Sequence, residues 1–136
     1  MISRNGWIVL AAGGSLALLL GAFAFQYIGG LAPCKMCLWQ RWPHGAAVVI
    51  GAVALVVPGR MPALAGAAAA LATAAIGVYH TGVERAWWQG PTTCTSGPVA
   101  GLSPEELLNQ ILAAPIVRCD EVAWAMFGVS MASIMM

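Results

Sequence analysis

Apolar residues in this chain come in long runs rather than in alternation. From Trp7 to Ile28 about 22 residues pass without a charge. As a helix they rise about 33 Å, enough to cross a hydrocarbon core of about 30 Å. A second run, Gly45 to Val57, is uncharged but only about 13 residues long, short of a span. It crosses only if its helix extends back through Pro43 and Trp42, beside Arg41, with the proline in the first turn where its missing N–H is harmless. Met61 to His80 is a third run, Ala-rich and Gly-containing, suited to close helix packing in lipid. A fourth begins near Val122 and continues to Met136; at about 15 residues it is either a short helix or one that a natural tail completes.

The pattern therefore predicts an all-α integral membrane four-helix bundle in a single domain, residues 1–136. Its spans lie at about 7–28, 42–57, 61–80 and 122–136, and its longer loops at about 29–41 and 81–121. The short link Pro58-Gly59-Arg60-Met61-Pro62 makes spans two and three antiparallel neighbours. Both termini then share one side, and the two longer loops share the other. The first run exceeds the 7–15 residues, roughly, of a signal-peptide core, and reads as a retained helix.

One local element stands out in the second loop. Ser103-Pro104-Glu105-Glu106 is a capping box, with Ser103 as N-cap, Pro104 at the first helical position and Glu106 at the third. Leu107, Leu108, Ile111 and Leu112 follow on one face. A short amphipathic helix lying on the membrane surface is expected here.

Composition agrees with lipid as the solvent. The 136 residues are 60% hydrophobic and 8% charged, with a formal net charge of +1. A soluble domain would carry about a quarter charged residues. No basic patch is available for nucleic acid, so the expected partners are membrane lipid, an apolar molecule, or a protein met at the membrane surface.

The chemistry is concentrated in four cysteines. Cys34, Cys37, Cys94 and Cys119 all fall in the two longer loops, with five of the six tryptophans near them, where such rings favour the headgroup layer. Cys34-Lys35-Met36-Cys37 is a C-x-x-C at the mouth of span two. This spacing suits a labile redox disulfide or half a zinc site. A helix N-terminus and Arg41, one turn on, both favour a thiolate at Cys37. The second pair is too widely spaced to repeat the C-x-x-C, and no metal is assigned. A Cys94–Cys119 disulfide would also stabilise the fold by about 3–4 kcal/mol, so a non-catalytic membrane protein with two structural disulfides is the alternative reading.

Lysine and arginine counts alone favour the cysteine side as cytoplasmic: Lys35, Arg41, Arg85 and Arg118 against Arg4 and Arg60. Disulfides persist outside the cytosol, and this consideration is given precedence, placing the cysteine loops in a periplasm-like space. Glu84, Asp120 and Glu121 are read as solvated loop charges, and Trp39 and Trp42 as belt residues. His80, at a helix end, is read both as a wet interfacial residue paired with Glu84 and as a proton or cofactor ligand.

Cys34-Lys35-Met36-Cys37 followed by Trp39-Gln40-Arg41, then Tyr79-His80, Cys94 and Cys119-Asp120, resembles the disulfide bond formation protein B (DsbB) family over nearly the whole chain. The resemblance implies a quinone-reducing protein-disulfide oxidoreductase of the bacterial inner membrane, multi-pass, with its cysteine loops facing the periplasm. Its partner would be a periplasmic thioredoxin-like dithiol protein (DsbA-like), and its cofactor ubiquinone or menaquinone. It further implies a relay in which Cys94 meets the partner, Cys119 attacks Cys34, and the freed Cys37 passes electrons to a quinone held near Arg41 and His80. Family members continue further after a stretch like Phe127-Gly128-Val129-Ser130, whereas this sequence stops at Met136.

Overall fold

The computed structural model describes residues 2–91, 100–113 and 117–134. Cys94 lies outside them. Three long helices dominate: α1 (Arg4–Tyr27), α2 (Lys35–Val56) and α3 (Arg60–Glu84). They are followed by α4 (Pro104–Ala113), a hairpin of β1 (Ala125–Met126) with β2 (Val129–Ser130), and a single turn, α5 (Met131–Ile134).

α1 is capped by Ser3, whose side chain accepts the Gly6 N–H, and α2 packs against both α1 and α3. The antiparallel arrangement is visible in two ties. Arg4, at the start of α1, donates to the Ala54 carbonyl near the end of α2 (3.0 Å). Arg41, near the start of α2, reaches back to Gln26 and the Ala22 carbonyl near the end of α1. The helix backbones approach closely at Gly51, where an added Cβ would meet the Ala12 Cβ at 2.4 Å. Large apolar side chains point outward instead, among them Trp7, Leu20, Leu64 and Leu71. Much of the interior is small or polar, the inverse of a soluble core and the arrangement that lipid-solvated helices adopt.

α1 and α3 are long and apolar enough to cross a membrane. α2 has 22 residues, a comparable length, but Lys35, Gln40, Arg41 and His44 occupy its first three turns. It also begins earlier than expected. Pro43 lies inside the helix, not in its first turn, because Pro33 and the cap at Cys34 set the start. Proline there deletes one helical hydrogen bond, which neighbouring polar groups can offset in a membrane helix.

α3 likewise runs past its expected end at His80, carrying Thr81, Gly82, Val83 and Glu84 into the packed interior. It closes in a Schellman cap. Ala86, at φ 56°, donates to the Val83 carbonyl, and Trp87 donates to the Gly82 carbonyl (2.9 Å). The chain then folds Trp88 back, stacking it on Tyr79 at 6.0 Å and bonding its indole N–H to the Tyr79 carbonyl.

The expected fourth span is not one helix. Ala125 pairs with Ser130 and Met126 with Val129, across a two-residue turn in which Phe127 and Gly128 both have positive φ (52° and 77°). That is the requirement of a tight type I′ hairpin. Uncharged residues at 122–134 signal burial or lipid, but not which backbone delivers it. Helix begins only at Met131, and α5 packs on α3. The capping box is present as expected: Glu106 accepts the Ser103 N–H (2.8 Å) while Ser103 accepts the Glu106 N–H (3.3 Å).

Candidate functional site

The antiparallel bundle brings the end of α1, the start of α2 and the end of α3 to one mouth, and the C-x-x-C sits there. Cys34 is itself the N-cap of α2, its sulfur accepting the Cys37 N–H at 3.3 Å. A cap holds its residue in one orientation, and the first turn then swings Cys37 round so that the two sulfurs are 3.0 Å apart.

The pair shares its protons unequally. Cys37 is the thiol held below the ordinary range, first because Cys34 donates its S–H to it. Cys34 is pushed up to about 12 by that same bond and by its burial. The cation expected to stabilise Cys37 is engaged elsewhere. Arg41 bonds α1 and lies 4.8 Å over the Phe23 ring, although it borders the same small cavity as the two thiols. Its Nε is buried and has no hydrogen-bond partner among the described residues.

Two more residues close on the pair. Cys119, fully buried, joins Cys34, Met36 and Val83 in one cluster, with Cys37 packed against it. His80, 1% exposed, places Nε2 3.5 Å from the Cys34 sulfur. The interfacial reading of His80 is thereby replaced by a buried one. Among the described residues the donor atoms of Cys34, Cys37 and His80 fall within 4.8 Å of one another. Two of them are thiols at near-bonding distance with a third thiol packed beside them, so the cluster reads as a redox centre.

Glu84 corrects the sequence reading as well. Its side chain is 7% exposed, not solvated, and sits 4.0 Å from His80 Nε2, accepting a hydrogen bond from Ser130. Asp120 and Glu121 are more open, and both pair with Arg118, Asp120 through two bonds of 2.9 and 2.6 Å. Trp39 and Trp42 are exposed, as belt residues are. Trp42 also flanks an apolar groove of about 860 Å³ that runs from Arg41 past Phe23, Val49 and Ile50.

Gln40, which the sequence reading names within Trp39-Gln40-Arg41 but gives no role, is fully buried, bonded to His80 on one side and to the Ala132 carbonyl on the other. The spacing Met36, Gln40, His44 at four-residue intervals, all buried, is the signal that marks this inward stripe.

A C-x-x-C at the start of α2, Cys34 buried and Cys37 half-buried, with a third thiol and an imidazole against it, defines a thiol–disulfide oxidoreductase. The sequence model of the family described as disulfide bond formation protein DsbB matches residues 3–136, and the chain belongs to that family. Disulfide bond formation protein B 2 of Pseudomonas aeruginosa is 31% identical over 139 residues, covering 96% of this chain and 80% of that one. The corresponding protein of Pasteurella multocida is 31% identical, covering 94% and 74%. That of Pectobacterium atrosepticum is 42% identical over a shorter stretch, 46% of this chain and 36% of its own. No solved structure matches the chain. Disulfide bond formation is the activity of this family, and two apolar helices accord with a place in the membrane.

Proposed function

We propose that this chain is a quinone-dependent thiol oxidase of the bacterial inner membrane, reoxidising a periplasmic thioredoxin-like dithiol protein (DsbA-like), with its cysteine face toward the periplasm. The observation that carries this reading is the gathering of Cys34, Cys37 and Cys119 with His80 at one mouth of the bundle. Two structural staples would need each sulfur to meet a single partner. Here the Cys34–Cys37 pair has a third thiol, Cys119, packed in the same cluster.

Cys94 receives the partner's thiolate and releases Cys119. Cys119 attacks Cys34, and Cys37 departs as the better leaving thiol because it is the one already held low. A quinone, ubiquinone or menaquinone, supplies a two-electron, two-proton sink when bound. The residues present fit one: the apolar groove accommodates a ring and its lipid tail, and the buried Arg41 Nε–H lacks an acceptor that a ring carbonyl provides. Arg41, which borders both this groove and the small cavity holding the two thiols, would hold that carbonyl.

The test mixes the purified full chain in lipid with a reduced thioredoxin-like dithiol protein and ubiquinone, following quinone absorbance. Consumption that disappears in Cys37→Ser is expected. No consumption, or consumption indifferent to that substitution, removes the reading.

A further inference from the structure

The reactive pair carries a problem that its own geometry creates. Cys37 is the more acidic thiol of the pair, but Cys34, pushed up to about 12, keeps its proton. Closing the Cys34–Cys37 disulfide requires that proton to leave, and at 6% exposure Cys34 has little water to take it.

The surroundings of His80 answer this. A backbone carbonyl can only accept, so the Gln40 atom 3.2 Å from the Ala132 oxygen is its NH₂. The other end of the Gln40 amide, 3.4 Å from His80 Nδ1, is therefore an oxygen. An oxygen requires a donor opposite, which puts the imidazole proton on Nδ1 and leaves a lone pair on Nε2. That lone pair faces Cys34 at 3.5 Å. The same nitrogen lies 4.0 Å from the Glu84 carboxylate, so a proton arriving there meets a negative charge. Glu84 is fixed by Ser130, and Ser130 in turn by Ser133, which also meets Thr81 (3.0 Å).

We propose that Gln40, His80 and Glu84 form a proton-removing assembly for Cys34, with His80 the base and Gln40 and Glu84 its positioning residues. This deepens the thiol-oxidase reading and rests on it. In the step, the Cys34 S–H turns from the Cys37 sulfur toward His80, its bond breaks, and the proton passes to His80 Nε2. The electron pair left on sulfur forms the bond to Cys37, and two electrons leave from the Cys37 side to the oxidant, a quinone in that reading. Gln40 selects the tautomer that can accept, and Glu84 balances the imidazolium.

Among the described residues, charged and titratable groups face the ring or its cavity from three sides, and Cys119 packs in the cluster with Cys34. Cys34 faces the ring from α2, with Cys37 and Arg41 on the same small cavity; Glu84 faces it from α3; Arg118 and Glu121 border that cavity from the segment before the hairpin.

The experiment follows closure of the reduced Cys34–Cys37 pair in the full chain from pH 6 to 9, with ubiquinone in one arm and diamide in the other. His80→Ala should slow closure about 100-fold or more, and Glu84→Gln about 10- to 100-fold. In His80→Ala the rate should climb about tenfold per pH unit, because only the Cys34 thiolate fraction then reacts, while the unsubstituted protein shows a shallower dependence. Gln40→Leu, which leaves Glu84 and Ser130 in place, should behave like Glu84→Gln. Wild-type rates in these variants, or slowing by one factor at every pH, would overturn the proposal. If the unsubstituted chain closes with diamide but not with quinone, and the variants still differ in the diamide arm, the oxidase reading fails and the proton assembly stands.

Discussion

Cys34 and Cys119 come from separate loops and yet share one buried cluster, Cys119 with no exposed surface at all. Removing the competitor at position 37 should therefore redirect Cys34. In Cys37→Ser, mild oxidation is expected to yield a Cys34–Cys119 disulfide, read by non-reducing peptide mapping. A product containing only Cys94–Cys119, with Cys34 still free, would contradict the shared cluster.

The unequal pair predicts a two-step titration. Cys37 lies below the ordinary thiol value of 9.0, so its thiolate should survive as pH falls beneath that range. Cys34 should ionise only near pH 12. Ultraviolet thiolate absorbance of a Cys94→Ser, Cys119→Ser double variant would show both steps. In a further Cys37→Ala variant the upper step should move down, since the partner that chiefly raises Cys34 is gone.

Arg41 ties α2 to α1 through two of its nitrogens, and its buried Nε has no partner among the described residues. Arg41→Ala should raise the apparent KM for quinone about 10- to 100-fold, the worth of one charge-assisted hydrogen bond, with a smaller change in kcat. Gln26→Ala, which breaks one of the two interhelical ties and spares Nε, should leave KM within about twofold of wild type. Equal effects of the two substitutions would reassign Arg41 to structure alone.

The end of α3 offers two opposite stability tests. A Cβ at Gly82 would sit 2.0 Å from the Trp88 ring, so Gly82→Ala should cost about 1–3 kcal/mol. Ala86 adopts a left-handed conformation at φ 56°, so Ala86→Gly should stabilise by about 1 kcal/mol. Thermal unfolding in detergent should shift in opposite directions for the two.

Where the governing partners are close in sequence, the residues themselves announced the structure. Ser103 and Glu106 are three apart, and their reciprocal bonds form as read. His80 and Glu84 are one turn apart, and their pairing was legible too. What was hidden depended on distant segments. The burial of Glu84 needs Ser130, the orientation of Gln40 needs Ala132, and neither follows from local pattern. The hairpin escaped notice because Phe127-Gly128 in an apolar run looks like a helix packing site as readily as a turn. The start of α2 was placed late because a proline suggested a beginning, when the sulfur at 34 had already supplied one.

Ala132 hydrogen-bonds the site through its main-chain oxygen. Position 132 should thus accept any residue small enough to fit, whereas inserting one residue between Ser130 and Ala132 should disable the centre while leaving every catalytic side chain in the sequence. Spacing there, rather than residue identity, is what the chemistry inherits.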